Sequence, residues 1–485
     1  MQPVSLLILF IAYFGILLLI SHIVGRKNHI SSFYNGDRKS PWFVVAFGMI
    51  GATLSGVTFI SVPGEVGNSS FHYFQFVLGN FVGYILIATL LLPFYYRKNI
   101  FSIYTVLKMK MGSEGYLTTS GFFILSKVIG SSFRLYLASI VIYMAIARPL
   151  GISFGVTVLF CLGLIWLYTV KSGIKTIVWS DTIQTFVLIF AVIATIISIF
   201  NHMDVPISKI VNVVSDQQHL KFFEMDWHSP NNFFKQFIAG IFMTIALNGF
   251  DQDIVQKNLT CENSSKARKN MLVFSAMFVA TVFLFLMLGA LLYYFAHTKG
   301  IALPEKSDQL FPLIALNHLG GFVSAMFILG ISAAAFSSAD SATTALTTSF
   351  SIDFLKIDQF KEKRQVKIRN WVHLSFSLLI FVVIMVFYKM NNESVVVAIF
   401  KVAGYTYGPI LGVFAFSFFI PRVPIYKFIV AICLISPIFT YLLTLWFNVL
   451  FNGYRFGFEL IVVNALITFL LLLLFSKKDH SVKIH

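Results

Sequence analysis

Long apolar segments recur along the whole chain, and they constrain its fold more than any other feature of the sequence. A run of about 18 or more apolar residues can cross a bilayer core of about 30 Å as a helix. Such runs follow one another through all 485 residues, separated by short polar loops. Charged residues make up only 12% of the chain, whereas a soluble domain carries about a quarter. The sequence therefore predicts an all-α polytopic membrane protein and leaves no room for a soluble domain.

About thirteen transmembrane helices are expected from the positions of these runs. The predicted spans are 3–25, 41–66, 72–96, 118–147, 152–170, 176–200, 232–256, 270–296, 319–352, 370–389, 393–420, 424–450 and 457–476. The first span has no basic segment before it and is followed at once by Arg26 and Lys27. It is therefore predicted to be a retained helix and not a cleaved signal peptide.

The basic residues are distributed unevenly between the two sides of the predicted membrane. Most of the 36 Lys and Arg residues, Lys257 among them, fall in one alternate set of loops and in the C-terminal tail. By the positive-inside rule this set is cytoplasmic, so the N-terminus is predicted outside and the C-terminus inside, in the plasma (inner) membrane. The net charge of +16 then reflects topology and not a nucleic-acid partner.

The sequence carries no motif typical of an enzyme. The 11 His residues form no HExxH or other ligand pair, and Cys161, Cys261 and Cys433 lie far apart. A membrane enzyme usually places Asp, His or metal ligands in sizeable polar loops, and no loop here has that content. We therefore predict that the chain is not an enzyme, with a polytopic membrane enzyme as the less favoured alternative.

Two predicted spans contain helix-breaking residues at membrane depth. The second span includes GMIGATLSGVTFISVPGEVG, with Pro63 and several Gly residues, and the seventh includes FMTIALNGFDQDIVQ, with Gly249 shortly before Asp251. Freed backbone inside a membrane persists where it lines a protein-enclosed cavity or binds ions. Two such helices five spans apart indicate an inverted-repeat transporter with binding sites near the midplane. The alternative is that Gly and Pro are simply common in membrane helices.

Several ionisable residues are predicted to lie at membrane depth. They are Glu65, Lys127, Arg134, Asp181, Asp340 and Lys401, with Asp251 and Asp253 near the cytoplasmic end of the seventh span. Buried charges are costly in hydrocarbon and usually serve an ion or substrate path. The alternative is a structural ion pair, for example between Arg134 and Asp181.

The stretch ISAAAFSSADSATTALTTSF consists almost entirely of small and hydroxyl-bearing residues. On a helix, Ala334, Ser337, Ser338 and Ser341 form one stripe, and Asp340 lies one turn from Ser337. Oxygens from this stripe, with carbonyls of an unwound helix, could bind a hard cation. Close packing of small residues is the alternative explanation of the stripe, but it does not explain Asp340.

At these residues the chain resembles the sodium/solute symporter family, which includes the sodium-coupled sugar, proline, iodide, choline and sialic acid transporters. The matching stretches, in order along the chain, are ATLSGVTFISVPGEVG, GIKTIVWSDTIQ, GFDQDIVQKNL and SAAAFSSADSATTALTTSF. The resemblance implies a LeuT-like core of two inverted five-helix repeats, with flanking helices outside it. The implied segments are 1–40 for an extra N-terminal helix and loop, 41–200 for the first repeat, 201–231 for an extracellular loop, 232–422 for the second repeat, and 423–485 for the C-terminal flanking helices and tail.

The resemblance also implies where sodium binds. The common sodium site of the family maps onto Gly51, Leu54, Ala334, Ser337 and Ser338. A second sodium site, present in some members, maps onto Asp181, Ser337, Asp340 and Ser341. The sialic acid transporters have Ser where this chain has Asp340, whereas the choline transporters have Asp. Asp340 is therefore expected to strengthen a second sodium site, to replace it, or to pair with a cation.

The substrate positions implied by the resemblance are Ser55, Thr58, Asn80 and Arg134. In the sialic acid transporters an Arg on the third core helix binds the substrate carboxylate, and Arg134 lies one position from it in a gap-free register. A guanidinium grips a carboxylate through two parallel hydrogen bonds, which favours an anionic solute. Leu247 and Thr244 stand where the galactose transporters have their gate Tyr and sugar-binding Asn, which disfavours a galactose-like site.

The predicted function is sodium-coupled symport of a small organic solute by alternating access. A carboxylate-bearing solute, such as a sugar acid or a monocarboxylate, is preferred. Sodium ions, the solute and the lipid bilayer are the expected partners, and the chain is expected to act as a monomer. A neutral sugar, polyol or amino acid is the alternative solute, and coupling to protons through Asp181 and Asp340 is the alternative driving force.

Overall fold

The computed structural model describes residues 2–25, 36–98, 100, 102–170, 173–203, 221–390, 395–450 and 456–478. Within these ranges the chain is almost wholly helical. In the first part of the chain the helices are α1 (Pro3–Gly25), α2 (Trp42–Thr53), α3 (Gly56–Ser69), α4 (Tyr73–Lys98), α5 (Lys108–Ile142), α6 (Phe154–Thr169) and α7 (Gly173–Met203). In the second part they are α8 (Phe233–Gly249), α9 (Gln252–Asn258), α10 (Ser264–Thr298), α11 (Leu310–Asn317), α12 (Gly320–Ser349), α13 (Glu362–Met390), α14 (Val395–Phe419), α15 (Tyr426–Leu450) and α16 (Leu460–Leu474).

Shorter elements connect or extend these helices. Turns of 3₁₀ helix lie at Gly36–Arg38, Ile103–Leu107, Arg148–Leu150, Ser307–Gln309 and Ile357–Gln359, and π-helical turns at Ile87–Leu91, Tyr143–Ala147, Ile245–Gly249 and Phe350–Phe354. The strands β1 (Arg422–Pro424) and β2 (Ser476–Lys478) pair antiparallel, with Val423 opposite Lys477. This pairing ties the end of α16 to the segment between α14 and α15.

The thirteen predicted spans all correspond to helices. By length and composition, 9 helices of the described residues can cross a membrane, and counting each of two bent pairs as one span raises the number to 11. The shorter apolar helices α6 and α16 coincide with the two remaining predicted spans. The chain is therefore a multi-pass, all-α membrane protein.

The two spans with helix-breaking residues are the two that bend. Helices α2 and α3 meet at 62°, and α8 and α9 meet at 71°. At the first bend the Ser55 N–H donates to the Thr53 carbonyl instead of continuing the helical pattern to Gly51, and Leu54 and Ser55 have non-helical backbone angles. At the second bend Asp251 is extended, and its side chain accepts a hydrogen bond from the Asp253 N–H to begin α9. The bends lie five spans apart, as expected for an inverted-repeat transporter.

Helix α12 lies at the centre of the bundle. Almost every residue from Val323 to Ser349 is buried, and the helix packs against α2, α3, α5 and α7. A Cβ atom added at Gly330 would lie only 2.7 Å from the Ala191 Cβ of α7. Small side chains thus let α12 approach its neighbours closely, which is a common way of packing helices in membranes. The Ala/Ser/Thr composition of α12 therefore has a packing role, whatever else its hydroxyls do.

The C-terminal end of α12 is tied to α5 by a buried carboxylate. In the π-helical turn after α12, Asp353 accepts hydrogen bonds from the hydroxyls of Ser102 (3.1 Å), Tyr116 (2.8 Å) and Ser120 (2.6 Å). Tyr116 and Ser120 lie on α5, and Ser102 precedes the 3₁₀ turn at Ile103–Leu107. We call these four residues the Asp353 cluster.

Candidate functional site

A cavity lies beside the bend between α2 and α3. Its volume is about 130 Å³, and its wall combines aromatic rings with a few polar and charged groups. All four of the substrate positions expected from the sequence, namely Ser55, Thr58, Asn80 and Arg134, line it. Lys127 and Tyr407 also reach its wall. An apolar pocket with a small number of convergent polar groups is the usual form of a small-molecule site.

Arg134 is a charged group of the cavity that has no acidic partner. The residue is half-buried on α5, and among the described residues no hydrogen bond or ion pair engages its guanidinium. The expected alternative, an ion pair between Arg134 and Asp181, is therefore wrong. A partly desolvated guanidinium without a carboxylate partner is well suited to bind an anion.

Asn80 has packing contacts as well as a place at the cavity wall. With its amide nitrogen turned towards the available acceptors, Asn80 donates to the Gly240 carbonyl (3.0 Å) and to the Thr244 hydroxyl (3.1 Å). Helices α4 and α8 are in close contact here, since a Cβ at Gly79 would lie 2.1 Å from the Phe237 carbonyl oxygen. Asn80 therefore holds these two helices together beside the cavity.

The backbone half of the expected common sodium site lies at the first bend. Because the Ser55 N–H donates to Thr53, the Gly51 carbonyl lacks its usual helical donor. The ladder of α3 starts with Phe59 N–H donating to the Ser55 carbonyl, so the Leu54 carbonyl lies before that ladder. Carbonyl groups freed in this way are typical sodium ligands in transporters with broken helices.

Gly51 is held against α7. Its N–H donates to the Thr185 hydroxyl at 2.8 Å, and a Cβ added at Gly51 would lie 2.5 Å from that hydroxyl oxygen. Only glycine allows so close an approach. The contact fixes the position of the Gly51 carbonyl relative to α7.

The α12 half of the expected common sodium site lies across from the bend. The first residue of α3 is close to α12, because a Cβ at Gly56 would lie 3.4 Å from the Ala335 Cβ. On α12 the Ser338 hydroxyl donates to the Ala334 carbonyl at 2.9 Å, so these two expected ligands touch. The Ser337 hydroxyl instead points to Asp181 and donates a hydrogen bond to its Oδ1 at 2.5 Å. The structure thus brings the first bend and α12 close together. The Ser337 hydroxyl, however, hydrogen-bonds to Asp181 and not to another residue of the expected sodium site.

The residues expected to form a second sodium site all have protein partners. Asp181 and Asp340 are both fully buried. Asp340 accepts hydrogen bonds from the Tyr168 hydroxyl of α6 (2.8 Å, at Oδ2) and from Ser341 (3.1 Å, at Oδ1). Asp181 Oδ1 accepts from Ser337, and its Oδ2 lies 2.9 Å from Lys257 Nζ.

Lys257 belongs to a buried chain of ion pairs. Structural ion pairs were the alternative given for the charges at membrane depth, but the sequence did not identify these partners. Its Nζ lies 2.9 Å from Asp181 and 3.4 Å from Asp253, and Asp253 lies 2.9 Å from Lys127 Nζ. Lys127 in turn donates to Asp251 at 3.0 Å. We call these five residues the ion-pair chain. It runs from the cavity wall, where Lys127, Asp251 and Asp253 lie, to Asp181 beside α12.

The assignment of Lys257 to a cytoplasmic loop is wrong. The side chain is 1% exposed, because the bend directs the short helix α9 into the protein and all its residues are buried. A local signal exists in the sequence: Asp253 and Lys257 are four residues apart, the spacing that brings an acid and a base together on one helix face. Removing one member of such a buried pair typically costs about 3–5 kcal/mol, because the other charge is left unpaired.

No group of three or more His, Cys, Asp or Glu side chains is placed to hold a metal ion within the described ranges. The candidate cation ligands are instead the carbonyl and hydroxyl oxygens at the first bend and on α12. Such oxygens suit hard cations. The arrangement as a whole places these candidate cation ligands next to a cavity that holds an available guanidinium.

Comparisons with known proteins agree with this arrangement. A model of the sodium:solute symporter family matches residues 33–426. The sodium/sialic acid symporter NanT of Aliivibrio fischeri is 24% identical over 425 residues, which cover 85% of this chain and 82% of NanT. The sodium-coupled monocarboxylate transporter 2 of Mus musculus is 22% identical over 82% of this chain and 65% of its own length.

A solved structure matches the whole fold. It is a Na⁺-coupled sialic acid symporter in a substrate-bound, outward-open state, and it aligns with a TM-score of 0.82 at 18% identity. The alignment covers 98% of this chain and 99% of that one. The two chains therefore share their fold from end to end.

Proposed function

Because the chain belongs to the sodium:solute symporter family, we propose that it is a sodium-coupled symporter that takes up a small organic acid by alternating access. Arg134 is the residue from which we infer that the solute is an acid. Its guanidinium lies at the cavity wall without an acidic partner in the described part of the chain. A carboxylate is the group that such a guanidinium binds best, through two parallel hydrogen bonds.

The volume of the cavity indicates that the solute is small. Its volume is about 130 Å³, and an apolar cavity of about 150 Å³ is large enough to hold benzene. A monocarboxylate of a few carbon atoms matches this volume better than a large sugar acid does. The names of the relatives also describe acid solutes, namely sialic acid and monocarboxylates.

Sodium is proposed to bind between the first bend and α12. The ligands would be the carbonyls of Gly51, Leu54 and Ala334 and the hydroxyls of Ser337 and Ser338. A cation there would join α12 to the bend, which also forms part of the cavity wall through Ser55 and Thr58. Sodium binding would thereby order the cavity for the solute. Each ligand must then raise the affinity of the other by the same factor.

The arrangement of the molecule in its membrane is part of the proposal. The chain acts as a monomer in the plasma (inner) membrane, with the N-terminus outside and the C-terminus in the cytoplasm, as supported by the distribution of basic residues. Residues 41–200 and 232–422 form the two repeats, and residues 1–40 and 423–485 the flanking parts. The expected extracellular loop, residues 201–231, lies largely outside the described residues, and its first three residues belong to α7.

Uptake into proteoliposomes tests the function directly. The purified protein is reconstituted, and an inward sodium gradient or an inward proton gradient is imposed separately in the presence of radiolabelled lactate, pyruvate, sialic acid or proline. Uptake of a small carboxylate driven by the sodium gradient is expected. Uptake driven by the proton gradient alone, or uptake of proline but of no acid, would contradict the proposal.

A thermal-shift screen identifies the solutes to test. The melting temperature of the protein is measured with and without sodium against panels of monocarboxylates, sugar acids, sugars and amino acids. A ligand that binds only the folded state raises the melting temperature. A small acid that stabilises the protein only when sodium is present is the expected result.

A further inference from the structure

The chain places a cation of its own against Asp181, one of the residues expected to bind a second sodium ion. Lys257 projects from α9 into the space between α7 and α12, and its side chain is 1% exposed. Its Nζ lies 2.9 Å from Asp181 Oδ2 and 3.4 Å from Asp253 Oδ1. The ammonium group therefore lies between two carboxylates, of which Asp253 also pairs with Lys127.

The oxygens that a second sodium ion would need are already engaged. Asp181 Oδ1 accepts a hydrogen bond from Ser337, and Asp181 Oδ2 faces Lys257. Asp340 accepts from Tyr168 through one oxygen and from Ser341 through the other. Ser337 and Ser341 belong to the expected site themselves, so the partners from outside it are Tyr168 at Asp340 and Lys257 at Asp181.

A sodium ion does not fit this set of residues while Lys257 is in place. The ion would have to bind Asp181, whose Oδ2 already lies 2.9 Å from the ammonium group. Two positive charges so close together repel strongly where water does not screen them. The second sodium site that the resemblance implies is therefore not formed by these residues.

We propose that Lys257 occupies the second cation position as a tethered ammonium group, so that the protein binds and carries one sodium ion per cycle. This inference rests on the proposed sodium symport. A free ion leaves the protein when the inward-facing state opens, whereas Lys257 stays with α9 and keeps it connected to α7. The tethered charge therefore supports the structure without adding to the driving force.

The number of bound sodium ions tests the inference without knowledge of the solute. Equilibrium binding of radioactive sodium is measured on the purified chain in nanodiscs, in the absence of solute. Saturation at one ion per chain, with a Hill coefficient of one, is expected. Two ions per chain would overturn the inference and leave the proposed symport standing, whereas no bound sodium would overturn the proposed function itself.

Counting the sodium ions bound by variants of Lys257 provides a second test. In Lys257→Met the carboxylate of Asp181 loses its cation, so a second sodium ion should bind and saturation should rise to two ions per chain. Lys257→Arg keeps the charge and should bind one ion. Lys266→Met removes a positive charge from an exposed side chain of α10 and should also bind one ion.

The outcome for Lys257→Met is decisive if the variant is folded and monodisperse. One bound ion in that case would mean that Lys257 does not occupy a cation site, and the inference would fail. If the variant does not fold, the count for the unsubstituted protein and for Lys257→Arg decides the matter, since two bound ions in either of them contradict a tethered cation.

Discussion

Arg134 is the side chain on which solute binding depends most directly. In Arg134→Ala the cavity loses its available guanidinium, and a bound carboxylate would be left without its charged partner. The loss of one member of a buried charge pair costs about 2 kcal/mol or more, and we expect the affinity for the carboxylate to fall at least about 30-fold. Isothermal titration of a stabilising acid in the presence of sodium measures this change.

Two controls separate a specific effect of Arg134 from a general one. Sodium binding should be unchanged in Arg134→Ala, because the expected sodium ligands lie on α2 and α12 and not on α5. Arg134→Lys keeps the positive charge but not the two-pronged geometry, so it should recover only part of the affinity. Carboxylate uptake that persists at full rate in Arg134→Ala would exclude an anion-binding role for this residue.

Gly51 is a position where a single methyl group should be harmful. A Cβ at this site would lie 2.5 Å from the Thr185 hydroxyl oxygen. We expect Gly51→Ala to push α2 away from α7, at a cost of about 1–3 kcal/mol, and to weaken sodium binding because the Gly51 carbonyl moves with the backbone. Thermal unfolding and sodium titration monitor the two effects.

Gly163 provides the matched control for Gly51. It lies on α6, and a Cβ there would have no neighbour within 4 Å. Gly163→Ala should therefore leave both the stability and the sodium affinity unchanged or slightly improved, because alanine favours helix. An equal effect of the two substitutions would show that helix propensity, and not the contact with Thr185, determines the result.

At the level of single residues the sequence predicted the cavity better than it predicted the charges. Ser55 and Thr58 were identified from a matching stretch of the family and Arg134 from a register that is one position away, and all three reach one cavity. Lys257 was assigned to a loop because hydropathy ends the seventh span near residue 256. Hydropathy records the average character of a segment, and it does not tell whether the chain turns into the protein or out to water after a bend.

Among the helices, α12 combines a packing role with a polar one. Its small residues allow close contact with α7, and its hydroxyls and Asp340 face partners on other helices. The two explanations offered for its composition are therefore not exclusive. Sequence periodicity could not separate them, because the same Ala/Ser/Thr stripe satisfies both requirements.

The Asp353 cluster is expected to restrain the C-terminal end of α12. In Asp353→Asn the carboxylate that accepts three hydroxyl hydrogen bonds becomes a neutral amide. Because hydrogen bonds to charged groups contribute about 1.5–3 kcal/mol each, the contact between α12 and α5 should weaken. Faster hydrogen exchange of backbone amides in residues 345–354 is the expected result.

Asp358 serves as the control for the Asp353 cluster. It is exposed and follows α12 within the short 3₁₀ turn at Ile357–Gln359. Asp358→Asn should therefore leave hydrogen exchange in α12 unchanged. If both variants exchange equally fast, the cluster does not hold α12, and the loss of negative charge at this end of the helix is the cause.

For the whole molecule, hydropathy alone was sufficient to predict where the long apolar helices of the described residues lie. All thirteen predicted spans correspond to helices or bent pairs, because the cost of placing polar backbone in lipid forces each long apolar run into a helix. The bends were also foreseen, since Gly, Pro and Asn interrupt the same two runs. The contacts between helices depend on partners far apart in sequence, and pattern analysis does not contain them.

The orientation of the molecule can be tested with a reporter at each end. We expect a protease-sensitive tag at the N-terminus to be cleaved from outside intact cells or spheroplasts, and a tag at the C-terminus to be cleaved only after permeabilisation. The reason is the concentration of Lys and Arg in the alternate loops predicted to be cytoplasmic. Cleavage of both tags from the same side would require an even number of spans.

The lysine buried against Asp181 also determines what kind of energy the protein can use. If one sodium ion enters with one singly charged acid, no net charge crosses the membrane. A voltage of 100 mV is worth about 2.3 kcal/mol per elementary charge, and none of it would then drive uptake. The sodium concentration ratio alone would set the limit, so that a tenfold gradient, about 1.4 kcal/mol, could concentrate the acid at most tenfold. Uptake of the acid should accordingly be electrically silent, and a cell would keep it running by exporting sodium, whatever its resting voltage.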